Sequence, residues 1–118
     1  KIIICDRFID STIAYQVHGK GVNKKLVDDV HNEILQDIIP DLTFVLKVDI
    51  KKAFLRINKR KIKNRYDKFA KSFYVKAQNA FIKIAKQNKK RYYLLDNSLD
   101  SDVNEKKILE KYLKVYKK

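Results

Sequence analysis

The sequence predicts an α/β fold built on a parallel sheet. Two observations predict it. Three short runs rich in β-branched and aromatic residues, Ile2 to Cys5, Leu42 to Val48 and Arg91 to Leu95, alternate with segments of helical apolar spacing. Acids stand at or just beyond the ends of those runs, at Asp6, Asp49 and Asp96. Open parallel sheets bind their ligands at the carboxyl ends of strands, so these positions are where chemistry is expected. At 118 residues and 45% hydrophobic, the chain suits one domain at most and can bury a core.

Each element has a local reason. Ile2 to Cys5 is apolar and β-branched, like a strand buried on both faces, and Asp6-Arg7 ends it. Ser11 to Val17 suits a short helix with Asp10 or Ser11 as its cap, broken by His18-Gly19-Lys20-Gly21. Asn23 can cap a second helix, in which Leu26, Val30, Ile34 and Ile38 recur at four-residue spacing before Pro40-Asp41 closes it. After the strand Leu42 to Val48, Asp49 caps a helix carrying Ala53, Phe54 and Ile57 on one face. The stretch from Arg56 to Arg65 is too basic to be buried, and Asn64 with Asp67 has capping-box spacing. The helix that follows is expected to bury Phe69, Phe73, Ala77, Phe81 and Ile84. Arg91 to Leu95 is the third strand, and Ser101 or Asp102 caps a last helix bearing Leu109, Tyr112, Leu113 and Tyr116.

Composition excludes several classes. No apolar run nears the length of a membrane span, and Lys1-Ile2-Ile3-Ile4-Cys5-Asp6 is too short an apolar opening for a signal peptide. The chain starts without Met and inside a strand-like run, which predicts a fragment. Cys5 is the single cysteine, so neither an internal disulfide nor a cysteine-pair zinc site can form, and the plain reading is cytoplasmic. His18 and His31 stand without a cluster of metal ligands. The net charge of +14 raises nucleic acid as a partner. Lysine supplies most of that charge, however. Arginine, the side chain suited to bidentate phosphate contact, occurs only at positions 7, 56, 60, 65 and 91, so those positions carry more information than the total.

The segments around the arginines are specific. Asp6-Arg7-Phe8-Ile9-Asp10-Ser11-Thr12-Ile13-Ala14-Tyr15-Gln16 resembles the segment of thymidylate kinases that binds the nucleoside monophosphate. Pro40 to Leu46 resembles that family's run into its next strand. Arg56, Arg60 and Asn64-Arg65-Tyr66-Asp67 resemble its LID, where family members carry Asp-Arg-x-Glu. The three matches occur in order and at suitable intervals across essentially the whole chain.

The resemblance implies the C-terminal part of a P-loop nucleoside monophosphate kinase fold, residues 1–118 forming a partial domain. Its dTMP-binding segment would be 6–21 and its LID about 56–67. It implies phosphorylation of dTMP to dTDP by ATP with Mg2+, a homodimer when intact, and no membrane or nucleic-acid partner. Arg7 would grip the dTMP phosphate, and Asp6 would sit near magnesium and the reacting oxygens. Ser11, Thr12, Tyr15 and Gln16 would line the thymidine pocket, and these four positions share one face of a helix. Arg60 and Arg65 would act on the phosphates, Arg56 near the adenine, with Asp96, Asn97 and Ser98 in the loop that reaches the adenine. Another P-loop nucleoside or nucleotide kinase is the alternative, and a basic nucleic-acid-binding module a more distant one.

A P-loop itself is absent from these residues. The two glycines, Gly19 and Gly21, follow a helix, and no Gly-Lys-Ser/Thr occurs. In the resembled fold the P-loop strand lies between the first two strands seen here. Three parallel strands with that one missing are therefore expected: Leu42 to Val48 should pair with Arg91 to Leu95, and Ile2 to Cys5 with neither. The isolated chain is expected to be inactive.

Overall fold

The computed structural model describes residues 1–62, 65, 68–98 and 101–117. Its elements run α1 (Ile9–Thr12), a π-helical stretch (Ile13–Gly19), α2 (Lys24–Leu35), β1 (Thr43–Lys47), α3 (Ile50–Asn58), α4 (Lys71–Gln87), β2 (Tyr92–Asp96) and α5 (Ser101–Tyr116). The order is the alternating one expected, and the fold is mixed α/β. β1 and β2 pair in parallel, in register from Thr43 opposite Tyr92 to Lys47 opposite Asp96.

The third expected strand is not formed. Ile2 to Cys5 has no ladder partner among the described residues, and Ile3 and Ile4 are 90% and 93% exposed. A strand needs a neighbour to take up its N–H and C=O groups. Here the run stays unpaired beside a two-stranded sheet, so an apolar, β-branched sequence is not sufficient for a strand.

Local caps behave as the sequence suggests. The Asn23 side chain accepts from the Leu26 N–H at 3.2 Å and starts α2, and Asp49 accepts from the Lys52 N–H at 3.0 Å and starts α3. Four differences stand out. Neither Asp10 nor Ser11 caps the first helix, because it already begins at Ile9. The expected helix break at His18-Gly19 falls inside the π-helical stretch, which runs to Gly19. The apolar stripe of α2 is exposed at Leu26, Val30 and Ile34, and so is Ile38 beyond its end, while Val27 is the buried residue of that helix. The last helix begins at Ser101 with Asp102 in its first turn, so neither precedes it, and Leu109, Leu113 and Tyr116 are exposed. The expected capping pair Asn64 and Asp67 lies outside the described residues.

The core forms where α4 crosses the strands. Val45, Ala85 and Tyr92 are buried together, with Phe81, Ile84 and Leu94 packed on them. Farther along α4, Phe73, Ala77 and Ala80 are buried. Phe73 stacks on Tyr15 with ring centroids 5.7 Å apart, and Tyr15 also meets Phe81 edge-on at 5.7 Å. This close approach requires a glycine at position 19, since a Cβ there would lie 2.5 Å from the Phe73 ring.

Asp10 forms the other tie between the first segment and the sheet. It is 8% exposed. Oδ1 accepts from Tyr92 Oη at 2.7 Å and Oδ2 from Arg91 Nη2 at 2.9 Å, across more than 80 residues of chain. Removing one partner of so enclosed an ion pair leaves a buried charge uncompensated, at about 3–5 kcal/mol.

Two outcomes are expected. Gly19→Ala overpacks the Phe73 contact and should lower stability by about 1–3 kcal/mol, read as a fall in the urea midpoint; an unchanged midpoint would show that the ring yields freely. The second concerns pH. Burial, the hydrogen bond to Asp10 and the Asp10 charge push the Tyr92 phenol well above its ordinary value, against a smaller opposing pull from Arg91. A raised folded value means the native state holds the proton more tightly. That stabilisation is complete below a pH of about 10, the unfolded tyrosine value, and is lost as pH rises toward the folded value. Urea midpoints should therefore fall above a pH of about 10 in the parent protein. Tyr92→Phe should start less stable and show a shallower alkaline fall.

Candidate functional site

The acceptor segment starts from an unusual backbone. Arg7 has φ of 65°, in the left-handed region that costs a non-glycine residue about 1–2 kcal/mol. Strained positions of this kind cluster at ligand clamps. The turn is closed locally, with the Cys5 thiol donating to the Arg7 carbonyl at 3.3 Å. The Arg7 guanidinium lies over the Tyr15 ring, 5.3 Å from its centroid. Asp6 and Arg7 are exposed, and Ser11, Thr12, Tyr15 and Gln16 are half-buried. Ser11 and Thr12 lie on α1, whereas Tyr15 and Gln16 lie in the π-helical stretch. The four therefore do not follow a single α-helical face as the spacing suggested, since the i→i+5 turn redirects the later pair. Tyr15 points to α4, and the Gln16 carbonyl accepts from the Val22 N–H at 2.9 Å.

Tyr15 is also one wall of a cavity of about 170 Å³ at the carboxyl end of β1. Lys47 and Val48 from the strand end, Phe54 and Ile57 from α3, and Gln78 from α4 form other walls. Gln78 fixes this corner, its Oε1 accepting from the Val48 N–H at 2.9 Å. The cavity thus joins the acceptor segment to α3, the helix that leads into the basic stretch. Arg56 stands in the last turn of α3, Arg60 and Arg65 lie beyond it, and all three are exposed. Asn64, Tyr66 and Asp67 of the same stretch lie outside the described residues.

Asp96, Asn97 and Ser98 form a tied turn at the carboxyl end of β2. The Ser98 N–H donates to Asp96 Oδ1 at 2.9 Å, and the Asn97 N–H to the Lys47 carbonyl at 2.7 Å. The Ser98 hydroxyl accepts from the Asp49 N–H at 3.3 Å. Asn104 of α5, buried, donates to the Asp96 carbonyl at 3.1 Å. The Ser98 backbone N–H and hydroxyl hold the Asp96 carboxyl below the usual carboxylate range, and Lys47 and Lys52 act in the same sense. Asp96 is therefore an anion at neutral pH, flanked by cations.

Among the described residues no group of three His, Cys, Asp or Glu could hold a metal ion. Magnesium bound chiefly through substrate phosphates does not require one; a single carboxylate with water and phosphate oxygens suffices, and Asp6 offers an exposed carboxylate beside Arg7. No helix among the described residues is long and apolar enough to cross a membrane.

Residues that sequence reasoning assigned no role are Gln78, Arg91, Tyr92 and Asn104, and Asp10 was read only as a cap. One signal pointed at Arg91: it is the remaining arginine in a lysine-rich chain after Arg7, Arg60 and Arg65 are assigned to phosphates and Arg56 to the adenine side.

Comparison with known proteins identifies the family. The family model described as thymidylate kinase matches residues 1–108. The thymidylate kinase of Ehrlichia ruminantium (strain Gardel) is 44% identical over 117 residues, covering 99% of this chain and 55% of the relative. That of Wolbachia pipientis wMel is 46% identical over 85 residues, covering 72% and 41%. The crystal structure of thymidylate kinase from Ehrlichia chaffeensis superposes with a TM-score of 0.58 at 35% identity, covering 86% of this chain and 43% of that one. The chain spans about half the length of the curated relatives it matches. With the family model spanning nearly all of its residues and the same α/β architecture in a solved relative, this chain belongs to the thymidylate kinase family.

Proposed function

We propose that these residues supply the acceptor-binding and lid parts of a dTMP kinase, which transfers the γ-phosphoryl group of ATP to dTMP and releases dTDP and ADP. The observation that carries this reading is Arg7: a strained backbone presents its guanidinium directly over Tyr15, pairing a phosphate-binding cation with an aromatic pocket wall. The family match spans the segment from Asp6 to Gln16 in which both lie. In this reading the product feeds the supply of dTTP, the active species is a homodimer, and the setting is cytoplasmic.

An oxygen of the dTMP phosphate attacks the γ-phosphorus in line, the bond to the bridging oxygen breaks, and ADP departs without a covalent enzyme intermediate. Arg7 holds the acceptor phosphate through charge-assisted hydrogen bonds. Ser11, Thr12 and Gln16 offer hydroxyls and an amide to the sugar and base, with Tyr15 as a wall. Arg60 and Arg65 bring positive charge to the transferring group when the basic segment closes, excluding water. Arg56 and the Asp96-Asn97-Ser98 turn stand toward the adenine. Asp6 would contribute one carboxylate to magnesium, which supplies positive charge to the phosphate oxygens when bound. The cradle for the ATP phosphates must come from outside these 118 residues, since they hold no Gly-Lys-Ser/Thr.

The test is steady-state kinetics in the full-length protein that carries this chain together with a P-loop. Arg7→Ala should lose about 3 kcal/mol in kcat/KM for dTMP. Gln16→Ala should weaken discrimination among bases by about 1–3 kcal/mol. Arg60→Ala should lower turnover with little change in dTMP affinity. Unaltered dTMP phosphorylation by Arg7→Ala would remove the acceptor role assigned to it, and failure of the parent to use dTMP would remove the reading altogether.

A further inference from the structure

Asp10 has no part in the chemistry set out above, yet it is the most enclosed carboxylate of the acceptor segment. Both of its oxygens are engaged, each by a different donor. The two donors belong to consecutive residues, Arg91 and Tyr92, where the chain enters β2. They also brace each other, the Arg91 guanidinium lying 4.6 Å from the centroid of the Tyr92 ring. A carboxylate gripped at both oxygens is fixed in direction as well as in position. The platform beneath it is fixed by the backbone on both sides of that junction, since Tyr92 is buried with its N–H donating to the Asn88 carbonyl at 2.9 Å, and the Arg91 carbonyl accepts from the Thr43 N–H at 2.9 Å where β1 begins.

What rides on this grip is the acceptor surface. Ser11 and Thr12 follow Asp10 directly in the same four-residue helix, and the π-helical stretch with Tyr15 and Gln16 continues from it without a break. A helix of one turn cannot hold its own place, since nucleating a turn is unfavourable without tertiary support. Its position must be set by what anchors it. Asp10 provides that anchor at the start of the segment, and Gly19 against Phe73 provides it at the end.

We infer that Asp10 is a positioning residue: through Arg91 and Tyr92 it docks the acceptor segment on β2 and so sets where Ser11, Thr12 and Tyr15 stand for the incoming nucleoside monophosphate. The inference rests on the acceptor-site reading proposed above, and it gives Arg91 a protein carboxylate to work on instead of a phosphate.

The experiment uses the full-length protein and compares Asp10→Asn, Asp10→Ala, Tyr92→Phe and Arg91→Lys. For Asp10→Asn, which keeps the side-chain volume, KM for dTMP should rise by about tenfold or more while KM for ATP stays within about twofold. Asp10→Ala should exceed it. Tyr92→Phe, which removes one hydroxyl and leaves the ion pair, should give a smaller rise in the same constant. Arg91→Lys should rescue little, because a lysine cannot reproduce the planar grip. A purely structural role predicts a lower melting temperature with both KM values unmoved or moved together. That pattern in a folded Asp10→Asn or Tyr92→Phe overturns the inference, while wild-type use of dTMP keeps the acceptor-site reading intact. If neither aspartate variant folds, Tyr92→Phe decides by the same split. If the wild type does not bind or phosphorylate dTMP, the acceptor reading fails, and the inference with it.

Discussion

Helix α4 is the constraint on which the rest of this structure depends. One side of it meets β1 and β2 through Ala85, Phe81 and Ile84, and another meets the π-helical stretch through Phe73 and Phe81. Such a double contact needs small side chains at the crossings. Ala77, Ala80 and Ala85 are each under 5% exposed, so the backbone of α4 approaches its neighbours closely. Glycine answers alanine from the other side, where Gly19 leaves room for the Phe73 ring. Larger residues would push the acceptor segment off the helix and open the gap that Tyr15 now fills.

Polar groups complete what the apolar contacts begin. Gln78 leaves α4 to hold the Val48 N–H, fixing the strand end at the cavity. Asn104 leaves α5 to hold the Asp96 carbonyl, fixing the neighbouring strand end. Both carboxyl ends of the sheet are therefore pinned by side-chain amides from helices that pack beside it. Between them the Asn97 N–H and Lys47 carbonyl extend the ladder by one more bond. A turn tied at this many points presents its functional groups in one arrangement, which is the condition for using backbone and side-chain dipoles on a ligand.

What the sequence made legible was chemistry of short range. The caps at Asn23 and Asp49 depend on atoms three residues away, and both strands β1 and β2 lie within a residue or so of where their β-branched and aromatic runs place them. What it hid was set by partners far along the chain. Ile2 to Cys5 has the composition of a strand, but a strand is a property of a pair, and no local pattern reports the neighbour. The spacing of Leu26, Val30 and Ile34 establishes an apolar face on α2 without saying whether anything covers it. Asp10 reads as a cap because short-range rules know only the next turn, while its real donors lie 81 and 82 residues downstream. The room that Gly19 leaves for Phe73 is likewise set by a partner far along the chain, which no helix propensity encodes. For the candidate site, the residue types in the acceptor and basic segments were readable, but the shared wall at Tyr15 that joins them through a cavity was not.

These long-range ties divide the chain into two mechanical parts. The segment from Asp10 to Gly19 is fastened at both ends, by a buried ion pair on β2 and by an aromatic contact on α4. Arg56 is exposed on the last turn of α3, and Arg60 and Arg65 are exposed beyond its end. On the proposed reading, phosphoryl transfer asks for this division, since the acceptor must wait in a fixed orientation while positive charge and a barrier to water arrive with closure. Arg7 stands at the boundary. It lies outside the fastened segment, three residues before Asp10, with a left-handed backbone and its guanidinium over Tyr15. On the proposed reading, the placement of the acceptor phosphate therefore depends on a strained turn whose far side is fixed by Asp10.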